Sequence, residues 1–347
     1  MNYWWGQFPP NLRLITKARL VASFGAGGVI YLTPLIFNQL SLSATQIGRG
    51  IALAAVAGTF SRLIVGRLLD KGTPTSKPIQ WAAITAIVAD IFLLSANDQY
   101  NFLAGQLLFG IAAGLYWPAI ELAVPNNIEN YPSIKGFALV RSADAVGTSI
   151  GAFIGSLFAF IGIIRVVYYI DIICMGFLLI LLEINTINES SDQFSAPSKE
   201  NKIVINNRKD NSKWVRSLIP ILFICLIGTG VLSLMQSALP LDLAKGGINR
   251  PALNEGWSGI LIAMQLGLLV IFQWPIGQWI SKYEARFGLK ISMIFFAIGC
   301  LLIGLSSLYT YGIYILIAGI FNISIGIAAF LPTATELIIQ TPPNDKR

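Results

Sequence analysis

The chain contains no histidine among its 347 residues and only three cysteines. Without imidazole, His-ligated metals, haem held by His, Ser-His triads and His proton relays are all absent. Cys174, Cys225 and Cys300 are far apart, each inside an apolar run. That spacing forms no metal motif, and a lone buried Cys acts as a small hydrophobe. Charge is scarce too: 12% of residues are Asp, Glu, Lys or Arg, about half the share in a soluble domain. There is no G-x-x-x-x-G-K-[ST] loop, which argues against ATP hydrolysis within this chain. No nucleophile–base pair stands out, so the sequence reads as a non-enzyme with no cofactor and no metal.

What is present is apolar. Hydrophobic residues make up 55% of the chain, and there are 32 glycines. So long a chain holds more apolar side chains than one domain's core can use, and glycine suits closely packed membrane helices. An apolar stretch of about 20 residues crosses a bilayer as a helix. Ten such segments are found, at 20–40, 50–69, 78–95, 102–124, 143–162, 166–182, 218–239, 259–280, 291–308 and 312–337. Very short connections, such as Asn97-Asp98-Gln99-Tyr100, make neighbouring spans antiparallel. The first run follows Arg13, Lys17 and Arg19 and is long enough to span, so it is not read as a cleavable signal.

The net charge of +7 resolves into an orientation signal rather than a nucleic-acid footprint. With the N-terminus inside, nineteen basic residues fall on the cytoplasmic side, Arg19 counted among them. Four lie opposite, namely Arg49, Arg165, Lys245 and Arg250, and Arg62 lies within a span. Both termini are therefore expected in the cytoplasm of a multi-pass inner or plasma membrane protein. The expected organisation is a six-helix bundle at 1–184, a polar cytoplasmic linker at 185–214 and a four-helix bundle at 215–347.

Two stretches recur. Gly66-Arg67-Leu68-Leu69-Asp70-Lys71-Gly72 is matched by Pro275-Ile276-Gly277-Gln278-Trp279-Ile280-Ser281-Lys282, with Gly277 lying 211 residues after Gly66. Gly110-Ile111-Ala112-Ala113-Gly114-Leu115-Tyr116-Trp117-Pro118 is matched by Ser324-Ile325-Gly326-Ile327-Ala328-Ala329-Phe330-Leu331-Pro332, with Pro332 lying 214 residues after Pro118. Two pairs at nearly one offset indicate an internal duplication.

The first stretch resembles the loop 2–3 signature of the major facilitator superfamily, Gly-x-x-x-Asp-Arg/Lys-x-Gly. Gly147-Thr148-Ser149-Ile150-Gly151-Ala152-Phe153-Ile154-Gly155 resembles the family's Gly-x-x-x-Gly-Pro-x-x-Gly, with Ala152 in place of Pro, and Lys135-Gly136-Phe137-Ala138 resembles its approach. There are departures: Gly72 comes one residue early, Gln106 stands where many members carry Arg, and Ser281 replaces Asp. The missing Arg weakens a proton-antiport reading. The family normally has twelve spans, so the chain is expected to lack the last two, as a truncated or split product in preference to a ten-span variant.

The resemblance implies an all-α membrane protein of the two-bundle type, with about ten transmembrane helices arranged as six plus four. It implies a monomeric secondary active transporter, a permease or efflux protein, moving a small solute by alternating access. Its partners would be the solute, the lipid bilayer and a proton or another coupling ion. The alternative is a transport-incompetent relative, a sensor, assembly factor or truncated relic.

Residue roles follow in the same terms. Asp70, with Gly66, Arg67 and Lys71, would lock the outward-open state, and Glu121 is placed to join that cluster through Arg67 or Lys71; alternatively these groups hydrate and orient the loop. A charge inside the bilayer costs about 2.5–3.5 kcal/mol on insertion scales, so Arg62, Asp90 and Asp171 are candidates for ion coupling. The bland reading makes them structural pairs or, for Arg62, a snorkelling side chain. Gly147, Gly151 and Gly155 form a smooth helix face suited to close packing, to which the resemblance adds a sliding contact between halves; the two are compatible. Spans 1, 4, 7 and 10 would line the cavity, with Tyr31, Tyr116, Trp117, Gln236 and Asn322 as candidate solute contacts. That cavity reads as mostly neutral, favouring a neutral or amphiphilic solute.

Overall fold

In lipid every backbone amide must find its partner within its own segment, so apolar runs of this length become helices. The computed structural model describes residues 5–127, 133–184, 213–280 and 282–340. Among the described residues ten long helices account for the ten runs. The first five are α1 (Pro10–Gln39), α2 (Ala44–Asp70), α3 (Ser76–Ser95), α4 (Gln99–Asn126) and α5 (Ser133–Phe160). The others are α6 (Val166–Ile184), α7 (Lys213–Lys245), α8 (Glu255–Ile280), α9 (Ala285–Ser306) and α10 (Ile313–Gln340). All ten are long and apolar enough to cross a membrane, and no strand occurs among the described residues. The expected linker lies outside the described residues except for its last two positions, where α7 already begins. Ser281 and the tail after residue 340 also lie outside them.

Local chemistry sets the ends. Pro9 and Pro10 open α1, ten residues before the apolar run that reads as its span, because proline is pre-organised for a first turn. Ser43 and Gln46 form a reciprocal capping box on α2. Asp98 caps α4 through the Asn101 amide at 2.7 Å. Gly72 closes α2 with φ +87°, a left-handed conformation that explains why glycine stands at this position. Arg165, in the turn between α5 and α6, clamps the end of α3, donating to the carbonyls of Leu94 and Ala96 at 3.0 and 2.8 Å.

Two compact units are formed. The first contains α1–α6 and the start of α8, Asn254–Ala263. Within it α1 packs on α5 and α6, α2 and α3 pack on α4, and α3 also packs on α6. Leu12, Ile15, Ala83, Ala123 and Leu178 belong to its core. Small residues bring the backbones together: a side chain at Gly151 would strike the Phe24 carbonyl, and one at Gly110 would strike Ala54. At the start of α8, Trp257 meets Phe160 edge-on at 5.6 Å.

In the second unit α9 and α10 make the main contact, and α7 rests against both. Arg250, between α7 and α8, is buried here. Its guanidinium reaches Asp242 and the Ser306 hydroxyl, each at 2.6 Å, so its charge is spent inside the fold.

Candidate functional site

Three helices of the first unit converge on one buried cation. Arg19 lies in α1, Asp144 in α5, and Tyr116 and Trp117 in α4. Arg19 Nη2 is 2.9 Å from Asp144 Oδ2; the Arg19 side chain is 4% accessible and that of Asp144 30%. Ser23, one turn after Arg19, donates its hydroxyl to the other oxygen of Asp144. The guanidinium lies 3.9 Å from the Trp117 ring centre and 5.3 Å from that of Tyr116. Those two rings meet edge-to-face at 6.3 Å. An ion this deep costs several kcal/mol to desolvate unless it is paired and hydrogen-bonded. Here the carboxylate supplies the countercharge and the indole face a cation–π contact.

The local sequence explains the approach. Arg19, Ser23 and Gly27 follow one another at four-residue intervals, so they stack along one face of α1. On α5, Gly147 lies against Leu20 and Phe24, and Gly151 against Phe24. The glycine face therefore seats α1 inside the first unit. Only a face without side chains lets α1 and α5 come close enough for a side chain as short as Asp144 to reach Arg19.

A second pair continues the alternation of charge. Arg141, one turn before Asp144 on α5, lies 3.5 Å from Glu121 of α4, with both side chains more than a third exposed. Glu121 is thus paired with Arg141 and not with Arg67 or Lys71. Exposed pairs of this kind contribute about 0–1 kcal/mol. Glu121→Gln should accordingly shift the unfolding free energy by less than about 1 kcal/mol, measured by denaturant titration in micelles; a larger loss would mean the pair is structural.

The other expected residues fall elsewhere. Arg67, Asp70 and Lys71 are exposed at the end of α2 and make no ion pair with a described residue. Gly66 has open space around it. Arg62 is exposed on α2 and is not brought to either intramembrane aspartate. Asp90 and Asp171 are brought together, both fully buried. Tyr31 is buried in α1, Gln236 is exposed on α7, and Asn322 spends its amide on Ala318 of its own helix at 2.8 Å.

Of the five expected cavity residues, then, Tyr116 and Trp117 belong to the charged cluster. Arg19 and Asp144, which complete that cluster, are not among the residues singled out from sequence. Arg19 reads from sequence as part of the basic stretch ahead of the first span. The signals that identify them are the four-residue interval Arg19–Ser23–Gly27 and an aspartate three residues before a glycine ladder.

No group of three or more acidic or cysteine side chains placed to hold a metal occurs among the described residues. A lateral groove of about 460 Å³ in the second unit is lined by apolar side chains such as Phe272 and Ile276 of α8 and Ile291 and Ile294 of α9. It contains none of the candidate residues.

The pattern that describes the Major Facilitator Superfamily matches residues 18–347. Multidrug resistance protein 1 of Bacillus subtilis (strain 168) is 24% identical over 151 residues, a match spanning 42% of this chain and 39% of that relative's length. A POT family transporter solved in complex with 5-aminolevulinic acid superposes with TM-score 0.79 at 15% identity, covering 97% of this chain and 85% of that one. The nucleoside transporter NupG superposes with TM-score 0.72 at 13% identity, covering 97% and 84%. At these identities the structural likenesses carry the fold.

Proposed function

Because this chain belongs to the Major Facilitator Superfamily, we propose that it is a secondary active transporter moving a small solute by alternating access, with the Arg19–Asp144 pair as its polar contact in the first unit. Family membership and transporter neighbours point to transport rather than enzyme chemistry. The observation that carries the site is the unequal exposure of the pair. Arg19 is enclosed and neutralised, while Asp144 keeps an accessible edge beside the half-buried rings of Tyr116 and Trp117. A molecule arriving there meets a carboxylate and two aromatic faces. Such a surface suits an amphiphilic solute with a cationic or hydrogen-bond-donating end. The name of the matched relative, a multidrug resistance protein, agrees with that class.

The test is flux of a fluorescent amphiphilic cation in proteoliposomes, with and without a pH gradient. Uptake by the wild type and its loss in Asp144→Asn are expected. No flux and no binding across a broad solute panel would favour a non-transporting sensor instead. We also assign Asp70 to gating, with Arg67 and Lys71, and place both termini in the cytoplasm, on the charge bias and the resemblance of the loop motif. Asp70→Asn should lower flux by about tenfold or more with expression unchanged; unaltered flux in the reconstituted variant would remove the gate.

A further inference from the structure

Asp90 of α3 and Asp171 of α6 are both enclosed at 0% exposure. They are neighbours where α3 packs on α6. Neither takes part in an ion pair with a described residue, and none of their four oxygens receives a hydrogen bond from a described donor. The surroundings supply no remedy. Tyr168, one turn before Asp171, shares a 3.1 Å hydrogen bond with the Thr33 hydroxyl of α1. Cys174, one turn after it, is a thiol. Gly25 of α1 is pressed so close that a side chain there would overlap Asp171 Oδ1. Arg165, just before α6, directs Nη1 and Nη2 to Leu94, Ala96 and Asn97 at the end of α3. Among the described residues the charged groups of α4 and α5 that form ion pairs, Glu121, Arg141 and Asp144, pair with one another or with Arg19 and not with these aspartates.

Two bare carboxylates in such a place would repel each other, each without solvent or donor. A carboxyl that keeps its proton becomes a donor, and the facing carboxylate is the acceptor it needs. We propose that Asp90 and Asp171 together form a proton-binding site, holding at least one proton between them and tying α3 to α6. The proton comes from bulk water and no other bond changes. This inference stands apart from the solute site at Arg19, since the proton is held whether or not a solute is carried.

Infrared difference spectroscopy of the full chain in lipid nanodiscs at neutral pH tests it. The expected result is a C=O stretching band of a protonated carboxylic acid that moves on exchange into D2O. It should be changed in Asp90→Asn and in Asp171→Asn, and absent from the double variant. Asparagine keeps the shape and its amide can donate to the remaining carboxylate, so the single variants should fold. Should they fail to, aspartate labelled with carbon-13 at the carboxyl must shift the wild-type band. Absence of the band from the wild type, its persistence in the double variant, or its indifference to the label would each overturn the proposal.

Discussion

Asp144→Ala should destabilise the protein by about 3 kcal/mol, the lower end of the range for breaking a buried ion pair. The lower end applies because Asp144 is 30% exposed and part of its charge is solvated. The cost falls on Arg19, which stays enclosed with its countercharge gone. Trp117 still offers its face, but a cation–π contact contributes only about 1–2 kcal/mol. Removing both charges should behave differently. Arg19→Met combined with Asp144→Leu leaves no bare ion, and replacing a buried pair by apolar side chains is commonly neutral or stabilising. Unfolding midpoints in mixed micelles should therefore fall for the single variant and recover for the double. Flux should be lost in both, because the carboxylate edge is missing from each. A single variant as stable as the wild type would show that the pair is not what holds α1 to α5.

Gly151→Leu should prevent α1 and α5 from docking, since even the first side-chain atom would sit on the Phe24 carbonyl. Gly151→Ala is the milder form, and overpacking of this kind costs about 1–3 kcal/mol. Gly66→Ala is the control. It lies in a motif just as glycine-dependent to the eye, yet nothing lies within 4 Å of an added Cβ. That substitution should be neutral or slightly stabilising, because alanine is the better helix former. Equal losses of unfolding free energy at the two positions would contradict the packing described for α1 and α5.

The two glycines show how far the sequence reaches. Both stand in recurrent patterns, and only the partner helix tells them apart: Gly151 has Phe24 against it and Gly66 has nothing. Glu121 teaches the same lesson. Its place near the end of α4 was legible, but a choice among Arg67, Lys71 and Arg141 depends on which helix lies beside it. Arg19 was hidden for a different reason. The polar first turns of α1 place Arg13 and Lys17 ahead of the apolar run, so a third cation reads as their continuation.

The sequence by itself determined the number of helices, their approximate ends and the kind of environment they occupy. Those properties are local: an apolar run of sufficient length must satisfy its backbone internally, and caps such as Ser43, Asp98 and Gly72 stop or start it. Which faces meet was decided by the tertiary structure. Helices such as α3, α4 and α8 carry almost no amphipathic asymmetry, because lipid and protein core are both apolar and the pattern has no reason to distinguish them. Only packing could bring Arg19 to Asp144, and Asp90 to Asp171.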